Sequence, residues 1–268
     1  MTKNTLPITL LTASWNSSST IGDTLRSVAR QSYPAIEHII IDGASRDDTL
    51  AVIEREGQHV ARVVSEPDKG IYDAYNKGIG LASHDIIGFI NSDDFYAHKD
   101  VISEVMAAFS ADPDLEAVHA DLVYVESADT NRIVRHWKSR NCSEKTITRG
   151  FIPAHPTVFL RRSVYDKVGT FNTDFRLAAD YDFLLRVFHL HRVKSLYLPR
   201  IWVRMRVGGA TGGSIASIKL QNDEIRRAQA LYGVNYPVAN FYLWKVADRI
   251  MQRLRRGFVD IPPAIWCQ

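Results

Sequence analysis

Over roughly the first 110 residues, short uninterrupted apolar runs alternate with stretches whose apolar residues recur at helical spacing. The runs Ile8 to Ala13, Ile36 to Ile41, Val60 to Val64 and Asp85 to Ile90 predict strands. Between the first two, Ile21, Leu25, Val28 and Ala29 fall at i, i+4, i+7 and i+8, which predicts an amphipathic helix, and Thr20 and Asp23 are spaced as a capping box at its start. The same spacing in Ile71, Ala74, Tyr75 and Ile79, and again in Val101, Val105, Met106 and Phe109, predicts two more helices with these residues in the core. Strands that alternate with helices place the chain in the α/β class, with helices covering a mostly parallel sheet.

After Pro113 the pattern changes. Ala117 to Glu126 and Arg132 to Trp137 read as strands joined by the polar turn Ser127 to Asn131, which predicts a β-hairpin. Leu177 to Leu190 reads as a helix, Val193 to Arg206 as extended chain, and Gly208 to Ser214 as a glycine-dense loop. Two further helices are expected from Ile215 to about Gly257, broken near Pro237. The expected organisation is one domain over residues 1–214, with its change of pattern at 112/113, and a helical C-terminal extension over 215–268.

Composition narrows the function classes. Among 268 residues, 33 Lys and Arg stand against 30 Asp and Glu, a formal net charge of +3, which argues against a nucleic-acid binder driven by bulk charge. With only Cys142 and Cys267 there is no disulfide framework or paired-cysteine metal clip, so a reducing cytosol is the expected compartment. The start lacks the layout of a signal peptide, and no uncharged apolar run is long enough to span a bilayer. The basic part is the tail: Lys219 to Gln268 carries eight basic and four acidic residues. Trp244, Val246, Ile250 and Leu254 lie there among Lys245, Arg249, Arg253, Arg255 and Arg256, a pattern that suits an anionic membrane surface, the core or a second subunit of a homodimer equally.

Candidate chemistry gathers at the predicted strand ends, where open α/β sheets bind ligands. Asn91-Ser92-Asp93-Asp94 follows the fourth strand, and adjacent carboxylates there can hold Mg²⁺ or Mn²⁺ while leaving positions for water and phosphate. Read alone, the same dipeptide is more often a solvated turn with a helix cap. Asp42 ends the second strand, placed to accept from a base N–H or a ribose hydroxyl, and Gly43 would let a ligand come close. Asp47 and Asp48 read mainly as caps of the next helix. The third strand ends in Ser65-Glu66-Pro67-Asp68-Lys69-Gly70, with Lys69 and the following helix start able to face phosphate or base. Arg206 and the glycines behind it suit a segment that closes over a diphosphate, or a plain linker. There is no Walker loop and no GxGxxG at a helix start.

Several stretches together resemble a known family: TASWNSSSTIGDTLRSVARQSYP at 12–34, IIIDGASRDDT at 39–49, SEPDKGIYDAYNKGIGLASHDIIGFINSDD at 65–94, HPTVFLRRSVYDKVGTF at 155–171 and LAADYDFLLR at 177–186. In order and spacing the chain is similar to family 2 glycosyltransferases with the GT-A fold, most of all to bacterial enzymes that build exopolysaccharide or lipid-linked repeat units. The resemblance implies a nucleotide-sugar half at about 1–112 and an acceptor half at about 113–214. It implies that Ala13, Trp15 and Asp42 hold the nucleotide base, with Trp15 stacked on the ring, and that Asp68, Lys69 and Arg206 belong to the same donor site. Asp94 is the expected metal ligand, for Mn²⁺ or Mg²⁺, with Asp93 as ribose contact or second ligand. Asp180 is the expected general base. His155 is either a packed residue or an acceptor contact. This sequence departs from the commonest form of the family in having Gly43 after Asp42 and Ala179 before Asp180.

The expected activity is inverting transfer of a sugar from a nucleotide-diphosphate donor, foremost a UDP-sugar, to a hydroxyl of a saccharide or lipid-linked saccharide in surface polysaccharide synthesis, in the cytoplasm or at the inner face of the membrane. Two alternatives are a sugar-nucleotide pyrophosphorylase and a non-catalytic nucleotide-sugar or polysaccharide binding module. The first would want a glycine-rich basic loop after the first strand, which Thr12 to Thr20 does not supply.

Overall fold

The computed structural model describes residues 5–147, 151–208, 215–234 and 238–255, together with Ile261 and Pro263. The first half alternates as its apolar pattern requires: β1 Ile8–Ser14, α1 Ile21–Ala29, β2 Ile36–Asp42, α2 Thr49–Glu56, β3 Val60–Ser65, α3 Ile71–Leu81, β4 Ile86–Phe89, β5 Phe95–Tyr96 and α4 Val101–Ala111. The second half contains β6 Ala117–Val125, β7 Ile133–Trp137, α5 Glu144–Ile147, β8 Phe159–Arg161, α6 Arg162–Val168, α7 Ala179–Leu185, β9 Ser195–Arg206, α8 Ile215–Leu231 and α9 Val238–Arg255.

One nine-stranded sheet runs through both halves in the order β3-β2-β1-β4-β8-β6-β9-β5, with β7 hairpinned onto β6. Strands β1 to β4 are mutually parallel, so their carboxyl ends open on one edge of the sheet. The antiparallel β8 bridges β4 to β6 and carries the sheet into the second half. Both faces of the central strands are buried: Leu11, Ile39, Ile41, Ile87 and Phe89 pack into one cluster with α3 and α7, and Ile8, Leu10 and Ile86 into another with α4. That two-sided burial is why these strands read as continuous apolar runs rather than alternating ones. Gly88 is a packing requirement, because a Cβ there would lie 2.3 Å from the ring of Phe159.

Three local expectations are corrected. Thr20 makes no side-chain cap to α1, since Asp23 turns away to pair with Arg26 and Arg206. The helix expected over Leu177 to Leu190 ends at Leu185 and continues as one π-helical turn, Arg186–Leu190. Strands β5 and β8 were not foreseen, because two and three residues are too few to show a period. The break at Pro237 and the loop Gly209 to Ser214 lie outside the described residues.

The register of β5 on β9 matters most for the site. Phe95 pairs with Arg204 and Tyr96 with Val203, which brings the end of β9 against the acids that precede β5. Of the tail, α8 packs on the core through Ile225 and Ala228, in the same cluster as α7. Helix α9 lies along β7, with Asp248 3.7 Å from Arg140. Among the described residues no helix is long and apolar enough to cross a membrane.

Candidate active site

Two cavities open at the carboxyl edge of the parallel strands, and of the predicted site residues Asp93 and Arg206 line one and Lys69 the other. One, of about 580 Å³, is lined by Ser19, Thr20, Asp23, Asp93, the hairpin turn Ser127 to Asn131, Arg206, Val207 and Gly208. The other, of about 360 Å³, lies between Lys69 to Asp73 at the start of α3, the chain leading into α7, and the start of α8.

At the end of β1, Trp15 is 68 % exposed, far from the burial usual for an indole. Its loop is cross-braced to the one after β2: Ser45 Oγ accepts from the Asn16 N–H at 2.8 Å and Asn16 Oδ1 from the Arg46 N–H at 2.9 Å. Two non-glycine residues with positive φ, Asn16 at 48° and Ala44 at 57°, stand in these loops. Such strain is held at functional sites by its surroundings. Asp47 accepts from the N–H groups of Ser18 and Thr49 and from the Thr49 hydroxyl, which holds its carboxyl down at about 2.

Asp42 is fully buried. Its Oδ1 accepts from Ser14 Oγ at 3.0 Å and Ser45 Oγ at 2.5 Å, and its Oδ2 from the Ser45 N–H at 2.9 Å and Ser65 Oγ at 2.7 Å. With four donors the carboxylate has its ordinary complement of acceptor positions filled. The neighbouring open acid is Asp68. One of its oxygens accepts from the Gly70 N–H at 2.8 Å, and the other lies 2.6 Å from where a Gly43 Cβ would sit, next to the Trp15 ring. A side chain at position 43 would displace Asp68, so the glycine has a specific job here.

The acid pair after β4 divides in two. Asp94 has no exposure: Asn91 Nδ2 donates to it at 2.9 Å and the Arg206 N–H at 3.1 Å, while burial and then the charge of Asp93 push its carboxyl well above the usual range. Asp93 is half-buried and lines the larger cavity, its carboxyl also raised by burial and opposed by the Arg206 charge. The carboxylate open to a ligand is therefore that of Asp93, and Asp94 is enclosed behind it. Arg206 is itself pinned, its guanidinium donating to the Asp93 carbonyl at 2.7 Å and paired with Asp23. Ala13 is buried in β1 with its backbone in register with Ile41.

Asp180 sits in the first turn of α7, half-buried, accepting from the Tyr72 hydroxyl at 3.2 Å and from the Tyr181 N–H at 2.8 Å. Burial, only partly offset by these donors, raises its proton affinity above an ordinary aspartate. Asp182 faces the other way, fully buried between Arg186 and the Tyr232 hydroxyl. One helical turn on from Tyr72, the Tyr75 hydroxyl donates to Asn91 Oδ1, and its proton is held by burial and then by the negative charges of Asp94, Asp93 and Asp180. The two tyrosines of α3 pack edge to face, with ring centroids 6.3 Å apart, one bonded to Asn91 of the acid motif and the other to Asp180. His155 is not brought to either cavity. It is buried among Tyr75, Phe89 and Phe171, and desolvation lowers it to about 4, so at neutral pH it is a neutral ring packed among aromatics.

Residues 9–169 match the family model Glycosyl transferase family 2. The chain belongs to glycosyltransferase family 2. Among similar curated glycosyltransferases is an uncharacterized one of Mycobacterium tuberculosis (strain CDC 1551 / Oshkosh), 33 % identical over 181 residues that cover 67 % of this chain and 68 % of that one. A PGL/p-HBAD biosynthesis glycosyltransferase of Mycobacterium bovis (strain BCG / Pasteur 1173P2) is 27 % identical over 177 residues, covering 65 % of this chain and 66 % of that one. In fold, the glycosyltransferase resembles S. aureus TarS 1-349 in complex with UDP-GlcNAc, with a TM-score of 0.62 at 15 % identity, over 94 % of this chain and 75 % of that one. It also resembles a mannosyltransferase of Pyrobaculum calidifontis in complex with GDP-Man and Mn²⁺, at a TM-score of 0.58 and 15 % identity, over 94 % and 82 %. The architecture is the GT-A fold.

Sequence reasoning missed several residues of this glycosyltransferase site. Tyr72 was not singled out and Tyr75 was assigned only to the core, though their spacing of three puts both on one face of α3. Ser17, whose hydroxyl is 2.8 Å from that of Ser92, ties the Trp15 loop to the acid motif and gave no signal of its own. Glu224 accepts from three successive backbone N–H groups just before α7, a role no local pattern announces.

Proposed function

We propose that this glycosyltransferase transfers a sugar, with inversion, from a nucleoside-diphosphate sugar to a hydroxyl of a saccharide or lipid-linked saccharide, and that the donor is a UDP-sugar. The observation that supports it most is that Tyr72, bonded to Asp180, packs edge-on against Tyr75, bonded to Asn91, which links a proton acceptor with raised affinity to the acid motif. In transfer, the acceptor O–H gives its proton to the Asp180 carboxylate as its oxygen bonds to the anomeric carbon. The bond from that carbon to the diphosphate breaks, and the nucleoside diphosphate leaves with the electron pair. The Tyr72 hydroxyl keeps one carboxylate oxygen oriented and leaves the other for the incoming proton.

In this reading Trp15 stacks on the base and Asp68 takes the acceptor role expected of Asp42, because Asp42 already holds four donors whereas Asp68 keeps an oxygen beside the indole. A uracil N3–H matches that oxygen. Among the described residues no three His, Cys, Asp or Glu side chains cluster tightly enough to cage a metal. A single open carboxylate fits a Mg²⁺ or Mn²⁺ ion that depends on diphosphate and water for its other positions. Asp93 would hold it, with Asp94 fixing the motif from behind. Bound there, the cation would offset charge on the departing diphosphate.

The test is a melting-temperature panel of UDP-glucose, UDP-galactose, UDP-GlcNAc and GDP-mannose with and without Mn²⁺, followed by release of nucleoside diphosphate on adding acceptor saccharides. We expect the largest shift with a UDP-sugar, an increment from Mn²⁺ that Asp93→Ala removes, and acceptor-stimulated release. Binding without release would indicate a binding module, and exchange with pyrophosphate a pyrophosphorylase.

A further inference from the structure

Helix α7 carries Asp180 but does not secure its own start. It has seven residues and no side-chain cap, and a helix of two turns is not stable alone. The N–H groups of the chain that leads into it are met from α8 instead. The Glu224 carboxylate accepts from the backbone N–H of Arg176 at 2.8 Å, of Leu177 at 2.8 Å and of Ala178 at 2.9 Å, and the side chain is 5 % exposed. Along the same helix, Gln229 Nε2 donates to the Tyr181 hydroxyl at 2.9 Å, and the Tyr232 hydroxyl donates to Asp182 Oδ1 at 2.8 Å. Ala228, buried between these contacts, keeps the two helices close. The three ties grip residues on both sides of Asp180, and the Glu224 tie is the strongest of them, with three charge-assisted bonds to the chain entering the helix.

Resting on Asp180 as the base, we propose that Glu224 is a positioning residue for sugar transfer, clamping the chain at 176–178 so that the first turn of α7 aims Asp180 at Tyr72 and the acceptor. The helical extension then belongs to the catalytic unit rather than being an appendage to it, although the family match ends at residue 169. Glu224 also acts on Asp180 through space. The groups that face Asp180 are Tyr72 and Tyr75 from α3, both neutral, the Tyr181 N–H of its own helix and the negative Glu224 from α8, which adds to the effect of burial.

The experiment uses the full chain and the most stabilising nucleotide sugar of the panel above, reading nucleoside-diphosphate release with Mn²⁺ across pH. Glu224→Gln is expected to lower kcat about 10- to 100-fold, the scale set by small misplacements of a catalytic group, with the donor KM within about twofold. Loss of the negative charge lowers the proton affinity of Asp180, so the acid limb of the kcat profile moves to lower pH. Hydrogen exchange at the amides of 176–178 should quicken. Val105→Ala, which truncates the other core cluster in α4, should lower the melting temperature yet leave kcat and the limb in place. If Glu224→Gln keeps kcat within about twofold while Asp180→Asn is inactive, the positioning role is wrong and the base assignment stands. If Asp180→Asn is itself active, the underlying reading fails. Should Glu224→Gln not accumulate folded, Glu224→Asp decides: a kcat loss of about fivefold or more with an unmoved limb supports the clamp, and undiminished kcat overturns it.

Discussion

Two aspartates, one from each half of the chain, show how differently the fold uses the same side chain. Asp42, at the end of β2, is sealed from solvent and accepts four hydrogen bonds. Asp180, at the start of α7, is half-open, accepts two, and holds its proton more tightly than an ordinary aspartate. A carboxylate whose acceptor positions are all filled by the protein organises loops; one left short of donors keeps an oxygen open, which the proposed base requires. Position at a strand end or helix start does not separate the two roles. The count of donors does.

The contrast can be broken most forcefully at Asp180. Asp180→Asn is expected to reduce turnover by about 10²- to 10⁴-fold while the donor-induced melting shift persists. Its folded pKa lies above the unfolded one, so the stability linked to its proton is present in acid and lost as pH rises through the folded value. At pH 7 the amide removes the burden of a buried charge, and the melting temperature of Asp180→Asn should rise. The same raised affinity places the acid limb of the wild-type kcat profile above the ordinary aspartate range; a limb at or below that range would contradict it. Next comes Asp42→Ala, which strands the hydroxyls of Ser14 and Ser65 and an N–H of Ser45 and should cost about 2–3 kcal/mol of stability in denaturant titration. Full stability there would undo the comparison. Within the acid pair the same logic predicts that Asp94→Ala loses about 1–3 kcal/mol by removing the acceptor of the Arg206 N–H and of Asn91 Nδ2, whereas Asp93→Ala mainly loses the metal increment. The smallest effect is expected at Trp15→Ala: about 1–2 kcal/mol weaker nucleotide binding by calorimetry, with the melting temperature of the free protein unchanged because the ring is already solvated.

Much of the first half was legible because β1, β2 and β4 are buried on both faces and acids follow the strands closely, so period and position carried the same message. That legibility stopped at the level of single carboxylates. Asp93 and Asp94 are adjacent in sequence, and only the pairing of β5 with β9 decides that Asp94 is enclosed by Arg206 and Asp93 left facing the cavity. His155 shows the same limit: an isolated histidine near a helix start reads alike whether it meets an acceptor or fills an aromatic cluster, and here it packs among aromatics. In the second half, Asp180 was singled out through the family resemblance, but its bond from Tyr72 spans 108 residues and that between Glu224 and the Ala178 N–H spans 46, distances at which no local period carries information. The tail shows the same limit. Its amphipathic pattern suited several settings, and contacts with α7 place α8 on the core.

The central proposal is that one binding region, made of two cavities each lined from both halves, takes the donor, so a single bound donor must be felt in both. Hydrogen exchange read by mass spectrometry, on the full chain with and without the most stabilising nucleotide sugar and Mn²⁺, tests this directly. Slowed exchange is predicted in the Trp15 and Gly43 loops and, in the same binding event, at residues 177–181. Slowing confined to the first half, with 177–181 unchanged at saturating donor, would contradict the shared binding region.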